Sequence, residues 1–333
     1  MQIKMLNSKR EIHRMIRFCY PKAQSNTLQD GIVKYTQREL CRFVLSKNNF
    51  FVVSVQEEDQ ILATALVYIE KDKTGEKICN FCLLRSAQEE AALQKLIDCI
   101  KLEMKKYGVG VLRGPCCTFN FLMREGLDEA QRTRLEPMLL QLGLEPLRDR
   151  LEVTAPVQAM PVEGVAEIRY FNGRHYEKSL EDLIQVVEYD GSYVGVSQTA
   201  KVFLRNYLRA LPLLCKPNGV RIAYDEVGSP LGFIAAIFSE TKKARRWWSL
   251  FGRENYYRRL AEESTSVQIE ALCVKEAHRE TVARLLLESV LKDASSHCQT
   301  IFFPNLSEAT LEALHLKNAA VTDRLRTYQM RLD

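Results

Sequence analysis

Apolar and polar residues change their spacing abruptly in the segment from Val267 to Lys292. Apolar residues recur at every second position up to Val274, which is typical of a β-strand. A polar turn, Lys275–Thr281, follows, and beyond it the spacing becomes helical. A strand that turns directly into a helix exposes the N–H groups of the first helical turn, and these suit a phosphate group. The apolar face of the predicted helix consists of Val282, Leu285, Leu286, Val290 and Leu291.

The first half of the chain shows the same two spacings in a longer series. They predict two short helices, three strands separated by polar turns, a long amphipathic helix, a strand, another helix and a closing strand. In chain order these are Ser8–Cys19, Gln37–Ser46, Phe50–Val55, Ile61–Glu70, Lys77–Leu84, Gln88–Tyr107, Val109–Leu112, Glu129–Leu142 and Arg150–Thr154. Pro137 predicts a kink or a break in the second of the later helices.

The second half repeats this order of elements after a linker that contains Pro156 and Pro161. Around the strand, turn and helix described first, the predicted segments are Ile168–Phe171, His175–Glu188, Gln198–Leu211, Val220–Glu226, Leu231–Phe238, Thr300–Phe303, Ser307–Leu316 and Arg324–Leu332. Repetition of the element order without a short sequence repeat indicates two duplicated domains. We place the first domain at residues 1–155 and the second at residues 164–333.

Composition narrows the functional classes. The chain has 333 residues, and its hydrophobic fraction of 46% is that of an ordinary globular protein. A net charge of +5 is too small to argue for nucleic acid, and no apolar run predicts a membrane span. Ten cysteines without a secretion signal predict free thiols in a reducing cytoplasm. Cys79 and Cys82 lie in a predicted strand on opposite faces, so buried thiols are favoured over a metal site.

Several short motifs, together with the element order, resemble the GNAT superfamily of acyltransferases, whose members use acetyl-CoA. Leu231-Gly232-Phe233 resembles the third strand of that fold. The resemblance implies an α/β (α+β) fold of two tandem domains, each with a mixed, mostly antiparallel sheet flanked by helices. It implies acetyl-CoA or another acyl-CoA bound in the C-terminal domain. The implied cofactor-binding residues are Leu272, Cys273, Val274, His278, Arg279, Glu280, Thr281, Val282, Ala283 and Asn305.

Most of these residues match one part of the GNAT pattern, and His278 could partly offset the charge of Glu280. Leu272-Cys273-Val274 resembles the fourth strand, Arg279 with Thr281-Val282-Ala283 resembles the turn that holds the pyrophosphate, and Asn305 resembles an asparagine near the pantetheine. The turn departs from the pattern, because no glycine occurs between Lys275 and Glu288 and Glu280 adds a negative charge. The corresponding turn of the first half, residues 85–90, is acidic and also lacks glycine. We therefore expect no cofactor in the N-terminal domain.

Acyl transfer needs a base for the amine and an acid for the leaving thiolate. Glu270, on the strand before the turn, is the candidate base, and a solvated or ion-paired strand residue is an equal alternative. Tyr328, on the last strand, is the candidate acid, although a packing role across strands is favoured for it. The sequence points to no metal.

The sequence leaves three functions open. The first is transfer of an acyl group to a small-molecule or peptide amine. The second is a degenerate GNAT-like protein that binds a ligand or partner without catalysis. The third and least favoured is association with nucleic acid through the basic and aromatic insert Lys242–Arg259, for which lining a cleft is the preferred alternative. A homo-oligomer is compatible with each, and the sequence does not decide whether the chain is an enzyme.

Overall fold

The computed structural model describes residues 2–6, 8–12, 50–58, 60–71, 75–85, 90–116, 126–127, 129–158, 166–190, 208, 215, 219–238, 265–294 and 298–332. The strands in these ranges are β1 (Gln2–Leu6), β2 (Phe50–Glu57), β3 (Gln60–Lys71), β4 (Lys77–Arg85), β5 (Val111–Cys116), β6 (Glu145–Pro156), β7 (Glu167–Tyr170), β8 (Val220–Tyr224), β9 (Pro230–Phe238), β10 (Ser266–Val274), β11 (Thr300–Leu306) and β12 (Ala320–Arg331). The helices are α1 (Glu90–Lys106), α2 (Glu129–Gln141), α3 (Tyr176–Tyr189), α4 (Arg279–Asp293) and α5 (Glu308–Leu314).

All twelve strands belong to one sheet, in the order β1-β2-β3-β4-β5-β12-β6-β11-β10-β9-β8-β7. Two pairs are parallel, β4 with β5 and β10 with β11, and the others are antiparallel. The predicted α/β class with a mixed, mostly antiparallel sheet and flanking helices is therefore confirmed. Each half contributes six strands. The first strand of each half, β1 or β7, lies at one edge of the sheet, and the later strands follow towards the centre.

The last strand of each half lies next to the other half's fifth strand. β12, at the end of the chain, pairs with β5 of the N-terminal half, and β6 pairs with β11 of the C-terminal half. Between them β6 and β12 pair with each other over twelve-residue strands. The two halves of the single sheet are thus joined by exchanged strands. The bounds of two separate domains, 1–155 and 164–333, stay a prediction.

Polar groups fasten the exchanged strands to each other. The Arg326 guanidinium of β12 donates to both carboxylate oxygens of Asp149 on β6, over 2.8 and 2.9 Å. Its third nitrogen donates to Glu136 of α2 over 3.1 Å. Tyr328, fully buried on β12, donates its hydroxyl to the same Glu136 over 2.8 Å. A planar guanidinium fits two carboxylates in this way better than an ammonium group does.

The helices divide between the two faces of the sheet. α1 and α2 pack on one face in the N-terminal half, and α4 and α5 pack on the same face in the C-terminal half. Residues Leu151 and Val153 of β6 belong to the α4 core, and Asp149, two residues earlier, therefore shares that face with Glu136 of α2. We call this the first face. α3 packs on the opposite, second face in a separate apolar cluster.

The described elements agree closely with the predicted ones. Most strands and helices begin within three residues of their predicted starts; these are the strands at 50, 60, 77, 220, 230, 266 and 300 and the helices at 90, 129, 176 and 308. Helix α4 begins at Arg279, inside the segment that was predicted as a polar turn. Pro137 lies inside α2 and does not split it. The predicted helix Gln37–Ser46 and the insert Lys242–Arg259 lie outside the described residues, as does nearly all of Gln198–Leu211. No helix in the described ranges is both long and apolar enough to cross a membrane.

Candidate functional site

β10 carries one residue more than its neighbour β9 requires. Ile269 pairs with Ala236, and the next β9 residue, Ala235, pairs with Ala271. Glu270 is the extra residue, and it forms a β-bulge in the middle of the strand. A bulge bends its strand and turns a side chain out of the regular pattern, and bulges are common beside active sites. The candidate base therefore occupies a special backbone position.

β10 and β11 part at the same point. Their parallel pairing covers Ser266–Thr300, Val267–Ile301 and Gln268–Phe302, and then it ends. Both strands continue, β10 to Val274 and β11 to Leu306, without pairing to each other. The result is a wedge between two central strands, with Glu270 just beyond its apex. Along the inner edges of such a wedge, the two strands do not hydrogen-bond to each other.

The side chains at the apex are buried and polar. Gln268 and Glu270 are each 6% exposed, and the Gln268 amide nitrogen donates to one carboxylate oxygen of Glu270 over 2.8 Å. The Gln268 amide oxygen is buried without a hydrogen-bond partner in the described structure. Burial raises the pKa of the Cys215 thiol, and the nearby charge of Glu270 raises it further. Cys215 belongs to the α3 cluster, so this group lies on the second face.

Asn305 lies on the other side of the wedge, near the end of β11. Its side-chain oxygen is buried and, among the residues that the structure describes, has no hydrogen-bond partner. A buried amide oxygen without a donor costs free energy, so such an atom marks a place where a donor from a ligand is favourable. The pantetheine arm of CoA carries amide N–H groups of this kind. Asn305 therefore fits the role that the resemblance implies.

The turn after β10 brings the remaining predicted residues to the start of α4. Glu276–His278 forms a short 3-10 turn, and no side chain caps the helix that begins at Arg279. Glu280 and Thr281 are exposed in its first turn, whereas Val282 is buried. The other predicted residues, Leu272, Cys273, Val274 and Ala283, are buried in the core, and His278 is exposed.

Arg279 and Val274 share a partner that the sequence did not reveal. Asp190, 2% exposed at the end of α3, accepts the backbone N–H of Val274 over 3.1 Å and lies 3.4 Å from an Arg279 nitrogen. Because the next N–H, of Lys275, donates to β9, that of Val274 points towards the wedge. Asp190 therefore binds both Arg279, the residue predicted to contact the pyrophosphate, and the backbone N–H of Val274 that points towards the wedge.

Tyr328 lies apart from the wedge residues. Its ring is buried in the apolar cluster of the N-terminal half, on the first face, and its hydroxyl donates to Glu136. Burial and the Glu136 carboxylate both raise its pKa well above the ordinary value. Glu270 and Asn305, by contrast, flank one opening. These surroundings suit a packing role, and the role of Tyr328 as an acid stays a prediction.

The N-terminal half lacks the wedge at the matching place. Its parallel pair continues from Asn80–Arg113, the third pair as in β10 and β11, to a further pair, Cys82–Cys116, after an irregularity in which β5 carries one extra residue. On β4, Phe81 and Cys82 pair with consecutive residues of β3, and the extra residue of that strand is Leu84, two residues further on. Counting along the strands, Asn80 matches Gln268 and Cys116 matches Asn305. Among the described residues, no cluster of His, Cys, Asp or Glu side chains forms a metal site.

This arrangement has counterparts among solved structures. A probable N-acyltransferase from Enterococcus faecalis matches with a TM-score of 0.59 and 12% identity, over 99% of this chain and 72% of that one. A GCN5-related N-acetyltransferase from Anabaena variabilis matches with 0.59 and 10%, over 100% and 73%. A tandem GNAT protein from the clavulanic acid biosynthesis pathway matches with 0.52 and 11%, over 100% and 99%.

The chain therefore has a tandem GNAT fold. This confirms the resemblance inferred from the element order and the strand motifs. At these identities the likeness concerns the fold and not the reaction. No model of a known protein family matches the sequence, and no curated protein matches it either.

Proposed function

We propose that this GNAT fold is an N-acyltransferase whose C-terminal half transfers an acetyl or other acyl group from CoA to a small-molecule or peptide amine. The observation that carries the proposal is the parting of β10 and β11 at the Glu270 bulge. It places a buried carboxylate beside an opening where β10 and β11 no longer pair with each other. The matching place in the N-terminal half is closed, so that half would complete the fold without a cofactor.

Glu270 would act as the general base. The acyl-CoA thioester supplies an activated carbonyl carbon; the amine nitrogen bonds to it, the carbon–sulfur bond breaks, and the nitrogen loses a proton. The Glu270 carboxylate, or a water molecule that it orients, would take that proton. Gln268 donates a hydrogen bond to one carboxylate oxygen and so orients the carboxylate. The departing thiolate would take its proton from solvent.

The residues present fit the pantetheine end of CoA better than the phosphate end. Asn305 offers a buried acceptor in the wedge, and the first N–H groups of α4 are not capped by a side chain. At the phosphate end, however, Glu280 adds a negative charge to the first turn. Arg279 is already paired with Asp190, and the buried carboxylate of Asp190 also accepts a hydrogen bond from the Val274 backbone N–H.

This weakness at the phosphate end favours a second candidate function. A GNAT-like protein that binds a ligand or partner without catalysis would need no pyrophosphate site, and the Asp190–Arg279 pair would then serve only the fold. The nucleic-acid alternative rests on Lys242–Arg259, outside the described residues. Cytoplasmic location and a homo-oligomer stay predictions.

Thiol release from acetyl-CoA with a panel of amines separates the two candidates. We expect turnover with at least one amine, and a loss of about 10²–10⁴ in kcat for Glu270→Gln with acetyl-CoA affinity retained. Glu312→Gln, an exposed change on α5 in the same half, is the matched control and should leave turnover unchanged. Binding of acetyl-CoA without turnover on any amine would instead support the binding protein.

A further inference from the structure

Polar side chains form a row across the second face of the N-terminal half. The strand register places Tyr68 beside Asn80, Asn80 beside Arg113, and Arg113 beside Gln329. Paired residues share a face, and Leu112, next to Arg113, packs in the first-face core. The row therefore faces away from that core. It is nevertheless buried, because Tyr68, Asn80 and Arg113 are each at most 8% exposed.

Arg113 is the unsatisfied member of this row. Its Nε is buried without a hydrogen-bond partner, the residue as a whole is 8% exposed, and none of the ion pairs found among the described residues includes its guanidinium. A buried charge without a counter-ion is strongly unfavourable in a folded protein. The guanidinium also presents its donors as a planar fork that matches a carboxylate or a phosphate. An anion at this position would satisfy both conditions.

A second unsatisfied atom lies on the same face. Thr327 of β12 is two residues from Gln329, the pairing partner of Arg113, so Thr327 and Arg113 are diagonal neighbours on adjacent strands. Thr327 is 1% exposed, and within the described structure its hydroxyl has no hydrogen-bond partner. A hydroxyl can donate to the same oxyanion that the guanidinium binds. Arg113 Nε and the Thr327 hydroxyl can thus both donate to the same oxyanion of a ligand.

We infer that the second face of the N-terminal half binds a small organic anion, whose carboxylate or phosphate group contacts Arg113 and Thr327. The site does not depend on the proposed acyl transfer, because it lies on the closed strand pair of the other half. At the matching position of the C-terminal half, β11 carries Phe302 in place of Arg113. At this pair of matching positions, only the N-terminal half carries a cationic side chain, Arg113.

The full-length protein can be titrated with acetate, succinate, citrate and inorganic phosphate, with binding followed by calorimetry and thermal unfolding. We expect saturable stabilisation by at least one probe, and an affinity reduced about tenfold or more in Arg113→Lys, which keeps the charge but loses the fork. A response to the carboxylates alone, or to phosphate alone, identifies which oxyanion the site takes.

Arg113→Met gives a second readout. Without ligand it removes an unpaired buried charge, so we expect it to unfold at a higher temperature than the wild type and to ignore the probes. Arg169→Met, an exposed arginine of β7 paired with Glu167, is the control and should keep the wild-type response. Absence of a saturable shift with all four probes would overturn the inference, as would a shift that Arg113→Met retains.

Discussion

The two halves of the sheet have the same strand order and differ at one parallel pair. In the N-terminal half β4 and β5 pair again at Cys82–Cys116, whereas in the C-terminal half the pairing of β10 and β11 ends at Gln268–Phe302. Glu270 is the extra residue of β10 beside the open pair, whereas the extra residue of β4, Leu84, lies further along its strand. The position of the bulge and the extent of the parallel pairing therefore distinguish the two halves.

The unsatisfied polar atoms follow the same division. Gln268 and Asn305 flank the wedge between β10 and β11, whereas Arg113 and Thr327 lie on the adjacent strands β5 and β12; the remaining five of these atoms are arginine Nε atoms elsewhere in the described residues. Buried polar atoms without partners are uncommon in native proteins, so each set marks a place with a chemical purpose. The two halves thus share a strand order and present different polar groups.

The largest expected effect concerns how far the halves are independent. Tyr328 belongs to the C-terminal strand but fills the N-terminal core, so Tyr328→Ala should lower the free energy of unfolding by about 3–5 kcal/mol. Hydrogen exchange should then increase in α2 and β5, while acetyl-CoA affinity in the C-terminal half stays near wild type. Val321→Ala, exposed on the same strand, should cost less than about 0.5 kcal/mol. Tyr328→Phe sharpens the test, since a large fall in kcat would restore its role as an acid.

The contact between the exchanged strands should give a smaller and pH-dependent effect. Arg326→Met should cost about 1–3 kcal/mol at neutral pH, because it leaves Asp149 and Glu136 without their cation. The hydrogen bond from Arg326 holds the pKa of Asp149 below its ordinary value. Burial raises the pKa of Glu136, but hydrogen bonds from Tyr328 and Arg326 outweigh it, so that pKa is also lowered.

Both carboxylates therefore stabilise the fold above their unfolded pKa values, near 4, and lose that contribution as the pH falls through the folded values. Denaturant unfolding of the wild type at a series of pH values should show stability declining below about pH 5. Arg326→Met should flatten this decline. An unchanged slope in the variant would show that the network does not join the strands energetically.

Exchanging one residue between the halves tests the wedge. Asn305→Cys installs the matching residue of the N-terminal half, Cys116, and removes the buried amide oxygen. We expect acetyl-CoA to bind about three- to tenfold more weakly, the value of one neutral hydrogen bond. Calorimetry measures this directly, and Glu312→Gln serves as the unaffected control. Equal affinity in the variant would place the ligand away from Asn305.

The smallest expected effect concerns the phosphate end. Glu280→Gln removes a negative charge from the first turn of α4, where an anion would bind, so CoA affinity should rise about two- to fivefold. The gain should shrink as salt is added, because the charge is exposed. Unchanged affinity at low salt would mean that the pyrophosphate does not approach this helix.

The sequence predicted the strands and helices with clear apolar spacing and the class of fold, but not how the halves join. β6 and β12 begin before their predicted starts, at Glu145 and Ala320, because their first residues mix apolar and polar side chains without a clear alternation. Their charges pair across strands 177 residues apart, as in Arg326–Asp149, which no local pattern reveals. β1 was missed because it is a short, mostly exposed edge strand.

The candidate site could be predicted in part. Glu270 and Asn305 were found through resemblance, and they do flank one opening. Gln268 and Asp190 were missed because their importance depends on contacts: Gln268 through the bulge that turns Glu270 towards it, and Asp190 through a bond to a residue 84 positions away. Neither bulge position nor long-range pairing follows from spacing alone.

The most direct test of the account is the stoichiometry of acetyl-CoA binding to the full-length chain, measured by calorimetry. A cofactor held only between β10 and β11 predicts one site per chain, with an affinity that Asn305→Cys weakens. Two equivalent sites per chain, or no binding at millimolar acetyl-CoA, would contradict the assignment of the cofactor to the opening between β10 and β11.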